Sequence, residues 1–158
     1  MEKEHLVELT EQSIRLELNV GELYRMFSGA FPEDSDFWWQ LHLEEKSHAT
    51  LIRAARDSLI KRDQFPAHLV SDSITDLKKS NARLLELIAR FKSQPTNRYE
   101  ACRIAVDIEK ESGELHFAQF MEQEASSPVE SVFQQLNRGD KDHAKRITAH
   151  ARSIGAID

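Results

Sequence analysis

Apolar residues recur at spacings of three and four along most of the chain and nowhere alternate strictly with polar ones over any length, which is the pattern of amphipathic helices. The clearest stripe is Trp38, Leu41, Ile52, Ala55 and Leu59, interrupted by Glu45 and His48. A similar stripe, Val129, Phe133, Leu136, Ile147 and Ile154, is interrupted by Asp140 and His143. Pro32, Pro66, Pro95 and Pro128 divide the chain into segments of 31, 33, 28, 32 and 30 residues. Proline is tolerated in the first turn of a helix but not inside one, so these are helix boundaries. The pattern predicts helices over 3–30, 34–61, 71–93, 96–124 and 128–153. Asp34 or Ser35 stands as the cap of the second, and Ser127-Pro128-Val129-Glu130 reads as a capping box with proline at the first helical position. The middle stretch, 71–93, carries Ile74, Leu77, Leu84, Leu85, Leu87, Ile88 and Phe91 with no acid inside its apolar face, and is expected to be a connecting helix.

The outer segments repeat. Leu16-Glu17-Leu18-Asn19-Val20-Gly21-Glu22-Leu23-Tyr24 aligns with Ile108-Glu109-Lys110-Glu111-Ser112-Gly113-Glu114-Leu115-His116 at an offset of 92. Gln40 to Ala49 aligns with Gln135 to Ala144 at an offset of 95, which sets Glu45 against Asp140 and His48 against His143. The chain thus reads as one domain, 1–158, of two similar helical hairpins, 3–61 and 96–153, joined through the connecting helix.

The repeat puts Glu17, Glu45, His48, Glu109, Asp140 and His143 on inward faces. Glu17 lies 15 residues before Pro32 and Glu45 13 after it; Glu109 lies 17 before Ser126 and Asp140 14 after it. At about 1.5 Å per residue, all four acids fall roughly 20–25 Å from their turns, within one layer of an antiparallel bundle. Unpaired buried carboxylates would cost several kcal/mol each, so they must be protonated, paired or metal-bound. Two divalent cations balance four carboxylates, two imidazoles complete the set, and oxygen with imidazole ligation suits iron or manganese. One Glu from each of two helices, with an acid-x-x-His from each of two others, is the di-iron arrangement of four-helix bundles. Without metal, such clustered acids are expected to repel one another and raise some of their pKa values.

Composition narrows the class. Lys and Arg number 21 against 27 Asp and Glu, a net charge of −6, which argues against a nucleic-acid partner. No apolar run approaches the roughly 20 residues that span a bilayer, and Met1 to His5 begins no apolar signal stretch. The single cysteine, Cys102, has no internal disulfide partner. A soluble cytoplasmic protein that binds neither membrane nor nucleic acid is the expectation.

On these motifs the chain resembles the ferritin-like superfamily, and within it the rubrerythrin-type branch, over residues 16–60 and 101–150. The spacing from Glu17 to Tyr24 is also similar to the first helix of rubrerythrins. The resemblance implies an all-α, ferritin-like antiparallel four-helix bundle with an extra helix in the crossover. It also implies two iron ions, or manganese, held by Glu17, Glu45, His48, Glu109, Asp140 and His143. His48 and His143 would each bind one ion, Glu45 and Asp140 would bridge, and Glu17 and Glu109 would be terminal. The implied activity is oxidation of ferrous iron by dioxygen or peroxide, with no catalytic residue apart from the ligands, an external electron donor, and a homodimer as one compatible assembly. Asp140 is a methylene shorter than the family's Glu, Ser112 stands where rubrerythrins carry a further carboxylate, and a rubredoxin-type cysteine quartet is absent.

Other readings stand beside this one. After Gly139, Asp140 reads equally as the cap of a restarted helix. The bundle reads alternatively as a metal-free scaffold or interaction module. Tyr24, His116 and Ser112 are candidate hydrogen-bond partners of the ligands; a core tyrosine and a structural histidine are the plainer roles of the first two. Gly21 and Gly113 suit close helix approach near the site, since an interior helix glycine costs up to about 1 kcal/mol against alanine. Trp38 and Trp39 read as packing residues, His5, His42, His68 and His150 as surface residues, and the tail after Ile154 as solvated.

Overall fold

The computed structural model describes residues 2–59, 74–117 and 128–158; within the helices several side chains, those of Ser112, His116 and Asp140 among them, lie outside the described residues. The regular structure is all-α: α1 (Glu2–Ala30), α2 (Ser35–Leu59), α3 (Ile74–Ser93), α4 (Arg98–Phe117) and α5 (Pro128–Ser153), with a short 3₁₀ turn at Pro32–Asp34. Pro128 opens α5 as the sequence predicts, whereas its capping serine, Ser127, lies outside the described residues. Asn97 caps α4, its side-chain oxygen accepting the Glu100 N–H at 2.9 Å. Among the described residues no helix is long and apolar enough to cross a membrane.

Paired residues give the topology. α2 runs back along α1: Ser28 Oγ donates to the Ser35 carbonyl at 2.9 Å near the turn, Tyr24 packs on Trp38 at 5.3 Å between ring centroids, and farther along Arg56 comes within 3.8 Å of Glu11. α3 runs parallel to α1. Lys78 pairs with Glu8 at 3.1 Å, and the buried Asn81 amide donates to both the backbone and side-chain oxygens of Gln12 at 3.0 Å. Phe91 then reaches Phe27 at 5.2 Å between centroids. Its 20 residues, about 30 Å of helix, carry the chain back to the end where α1 stops. α4 starts there and descends, with Arg83 of α3 paired to Glu111, and α5 returns along it. Thus α2 and α4 run one way and α1, α3 and α5 the other.

The core draws on all five helices: Leu16, Leu23 and Phe27 of α1, Trp38, Leu41 and Ile52 of α2, Leu77 and Leu84 of α3, Ala101 and Ala105 of α4, and Ile147 and Ala151 of α5. Each large apolar side chain so buried contributes about 1.5–3 kcal/mol. Trp38 and Trp39 part company: Trp38 is fully buried, while Trp39 is 46% exposed and leans on His42.

Four sequence readings are corrected at this level. Asp34 does not serve as a helix cap; its carboxylate is buried and takes two hydrogen bonds from Arg98, at 2.9 and 2.6 Å, and one from His150 at 3.0 Å. His150 is accordingly no surface residue, and its ring also stacks on Phe37 at 4.1 Å. His42 is buried as well, and donates from Nδ1 to the Gly21 carbonyl at 2.9 Å. Finally, the tail turns back onto the core. Gly155, at φ 78°, ends α5 in the left-handed conformation, the Ala156 N–H bonds the Ala151 carbonyl at 2.8 Å, and Arg103 donates to the Ala156 carbonyl at 2.9 Å.

Candidate metal centre

Midway along the bundle α1, α2, α4 and α5 turn polar side chains inward. Glu17, Glu45, His48, Glu109 and His143 are all buried, with exposures of 3, 2, 9, 4 and 1%. Helical spacing explains the pair on α2: Glu45 and His48, three residues apart, share the face that Leu41 and Ile52 continue on either side. Close approach of α1 to α2 depends on Gly21, where an added Cβ would lie 3.2 Å from the Glu45 Cβ.

Glu45 is at the middle of the cluster. Its Oε1 accepts a hydrogen bond from His143 Nδ1 at 2.9 Å, and its Oε2 lies 3.6 Å from His48 Nδ1. The same His48 nitrogen lies 3.6 Å from Glu17 Oε2, and the same His143 nitrogen 4.0 Å from Glu109 Oε1. The two imidazoles are stacked, 5.1 Å between centroids at 20°. Tyr24 donates its phenolic hydrogen to Glu109 Oε1 at 2.5 Å. Ligand atoms of Glu45, His48 and His143 all lie within 4.8 Å of one another, a buried three-residue group that could hold a metal ion.

Charge within the centre is settled by hydrogen bonding. Burial pushes the Glu45 carboxyl up, but hydrogen bonds from Glu17, His143 and His48 and the charge of His143 outweigh it and hold Glu45 well below the usual carboxylate range. Mutual repulsion, which would raise these values, therefore does not govern Glu45.

Of the six residues expected as ligands, the structure brings five together. The side chain of Asp140 lies outside the described residues, as do those of Ser112, His116 and Gly113's surroundings. The backbone does decide one question about Asp140: α5 runs unbroken from Pro128 to Ser153 through Gly139, so there is no restarted helix for it to cap.

Two residues at the centre escaped the sequence reading. Glu44 places Oε1 3.6 Å from His143 Nε2, and Arg146 holds that carboxylate with bonds of 2.8 and 3.0 Å. Burial raises the Glu44 carboxyl, and the Arg146 hydrogen bond with the charges of His143 and Arg146 brings it below its ordinary value. Gly139 faces His48: an added Cβ there would sit 2.8 Å from His48 Nε2. The signal was present in the repeat, which sets Glu44 against Gly139 at the offset of 95. No family model, curated protein or solved structure matches this chain.

Proposed function

We propose that this is a di-metal carboxylate protein of the ferritin-like, rubrerythrin-type class, its helices forming two antiparallel hairpins with α3 as the crossover. Two iron ions, or two manganese ions, would occupy the centre, and the activity would be oxidation of the ferrous pair by dioxygen or peroxide. The observation that carries this reading is the placement of Glu45, whose two oxygens face the Nδ1 atoms of different imidazoles with one further acid beside each. His48, Glu17 and one Glu45 oxygen would hold one ion; His143, Glu109 and the other oxygen would hold the second. Asp140 is the candidate second bridge. Ferrous iron held there would supply electrons to the oxidant, and an external donor would restore them.

The chain's own residues set the conditions. Ligands must be deprotonated to hold a cation, so uptake strengthens as pH rises. Tyr24 holds Glu109 in place, and the apolar rings of Phe27 and Trp38 around Tyr24 keep that side of the centre dry. The test is metal analysis after anaerobic ferrous loading, followed by oxygen uptake. About two ions per chain and oxygen consumption in proportion support the reading.

A metal-free scaffold is the second reading. What favours it is that the hydrogen bonds of His143 to Glu45 and of Tyr24 to Glu109 already satisfy buried acids without any ion. Less than half an equivalent of iron after loading would select it.

A further inference from the structure

The centre is closed to solvent: Glu17, Glu45, His48, Glu109 and His143 are all buried, so a partner that gives it electrons must do so from outside the bundle. The outer face of α2 backs directly onto the inner face that carries Glu45 and His48, and one helix, roughly 10–12 Å across, separates the two. Exposed apolar side chains gather on that outer face. Of the six large hydrophobic residues that stand exposed among the described residues, Trp39 (46%) and Leu43 (42%) lie one turn apart on α2. Leu18 (37%) lies beside them on α1, one turn from Gly21, where α1 meets α2. Val7, Leu85 and Tyr99 stand elsewhere, near the start of α1, on α3 and at the start of α4.

Trp39 is seated rather than loose. Its ring leans on that of His42 at 4.9 Å between centroids, and His42, itself buried, precedes Glu45 by one turn of the same helix. The charges around it are mostly positive. Lys46 and Arg53 continue the Trp39 stripe along α2, and Arg15 stands one turn before Leu18 on α1; all three are exposed, and none forms an ion pair among the described residues. The acids of this face are matched where they stand, Glu22 by Arg25 at 2.8 and 2.6 Å, and Glu11 and Asp57 by Arg56 at 3.8 and 3.0 Å. Asp36 is left as the unmatched acid beside Trp39. In a chain of net charge −6, a cationic surround about an exposed tryptophan stands apart and is complementary to an acidic partner. Two copies of this chain meeting face to face would instead set like charges together.

We propose that the outer face of α1 and α2 is the docking surface for a small acidic protein that carries one electron at a time, seated on Trp39 and Leu43 and steered by Lys46, Arg53 and Arg15. The electron-carrying role rests on the di-metal reading above; the charge and shape of the partner rest on the face alone. Each docking would deliver one electron through α2, two would return an oxidised metal pair to the ferrous state, and no bond is made or broken. Aromatic anchors carry most of the affinity of such a contact, while the surrounding charges set its encounter rate and salt dependence.

The probe is a plant-type two-iron, two-sulfur ferredoxin, an acidic one-electron carrier. Added to the metal-free full chain, it should shift or broaden the indole N–H resonance of Trp39, with an affinity that falls as salt rises. Trp39→Ala and Lys46→Glu should each weaken binding roughly 10-fold or more, whereas Leu85→Ala, an exposed position on α3, should leave it unchanged. All three positions are on the surface, so the variants are expected to fold, and melting curves check it. In the iron-loaded chain, oxidation of limiting reduced ferredoxin should slow by the same factors. If iron does not load, the electron-carrying role falls with the di-metal reading, while the metal-free titration still decides the docking face. An unmoved Trp39 resonance, or binding indifferent to Trp39→Ala and Lys46→Glu, overturns the proposal. So does a wild-type dimer that Trp39→Ala converts to monomer, which would give the face to a second copy of the chain.

Discussion

Among the described residues, buried acids gather in two places in this bundle, near the α1–α2 turn and midway along it, and they are balanced by different kinds of partner. Near the α1–α2 turn, Asp34 meets a guanidinium: Arg98 gives two hydrogen bonds to its carboxylate and a third to Glu33 at 2.5 Å, and His150 adds another to Asp34. Midway along, imidazoles and a phenol are among the partners of Glu17, Glu45 and Glu109. Arginine is charged at any relevant pH and cannot be displaced from its role by a cation. Imidazoles carry removable protons, and a metal ion can take the place of those protons. Buried acid alone is thus no sign of a metal site; the kind of partner that balances it is what separates a clasp from a centre.

The largest effect on stability is expected at the clasp. Asp34→Ala removes the acceptor of two Arg98 bonds and one from His150 inside the core, and an earlier denaturant midpoint with metal uptake unchanged is expected. A loss below about 1 kcal/mol would mean the clasp ties nothing together. Glu45→Ala reverses the profile. Losing hydrogen bonds to a buried charged group costs the metal-free protein about 1.5–3 kcal/mol, while metal content falls from two ions to none. Retention of one tightly bound ion in that variant would contradict the bridging position of Glu45.

Glycine replacements sharpen the comparison further. Gly29→Ala has open space around the new Cβ and should gain up to about 1 kcal/mol from helix propensity. Gly139→Ala carries the same propensity gain but drives its Cβ into His48, so it should be less stable than Gly29→Ala and should weaken the metal position on the His48 side. Equal melting temperatures and equal metal affinities for the two variants would remove Gly139 from the account.

The smallest effect concerns Cys102, buried beside the clasp. Burial, with the charge of Asp34 adding to it, raises the thiol from its ordinary value of 9.0 to about 11. A raised folded-state value means that its contribution to stability is complete below pH 9 and is lost as pH climbs through 11. Cys102 should therefore resist thiol reagents at pH 8 until the chain unfolds, and the melting temperature should decline across pH 9 to 11 by less in Cys102→Ala than in the wild type. Rapid labelling of the folded protein at pH 8 would contradict this.

How much of this was legible depends on how far apart the interacting residues lie. The helices were readable because their signal is local: the three-and-four stripe of α2 and the proline that opens α5 need no partner. The centre was readable because the repeat and the equal distances from the turns bring Glu17, Glu45 and Glu109 to one level before any packing is known. The clasp was not, because Asp34 lies 64 residues from Arg98 and 116 from His150, and an acid just ahead of a helix reads locally as a cap. Glu44 and Gly139 were visible as a pair in the repeat, but their meaning appears only when the two hairpins face each other and each addresses the other's imidazole. His42 was missed for a related reason: its acceptor is a backbone carbonyl, that of Gly21, which no side-chain pattern announces.

The central claim is that Glu45 separates two cation positions. It is tested most directly by anomalous diffraction at the iron edge from crystals loaded anaerobically with ferrous iron. The account predicts two peaks, one beside Glu17 and His48 and one beside Glu109 and His143, each in contact with one oxygen of Glu45. Full loading conditions with no anomalous peak at Glu45, or a single peak that leaves one of the two imidazoles untouched, would contradict it.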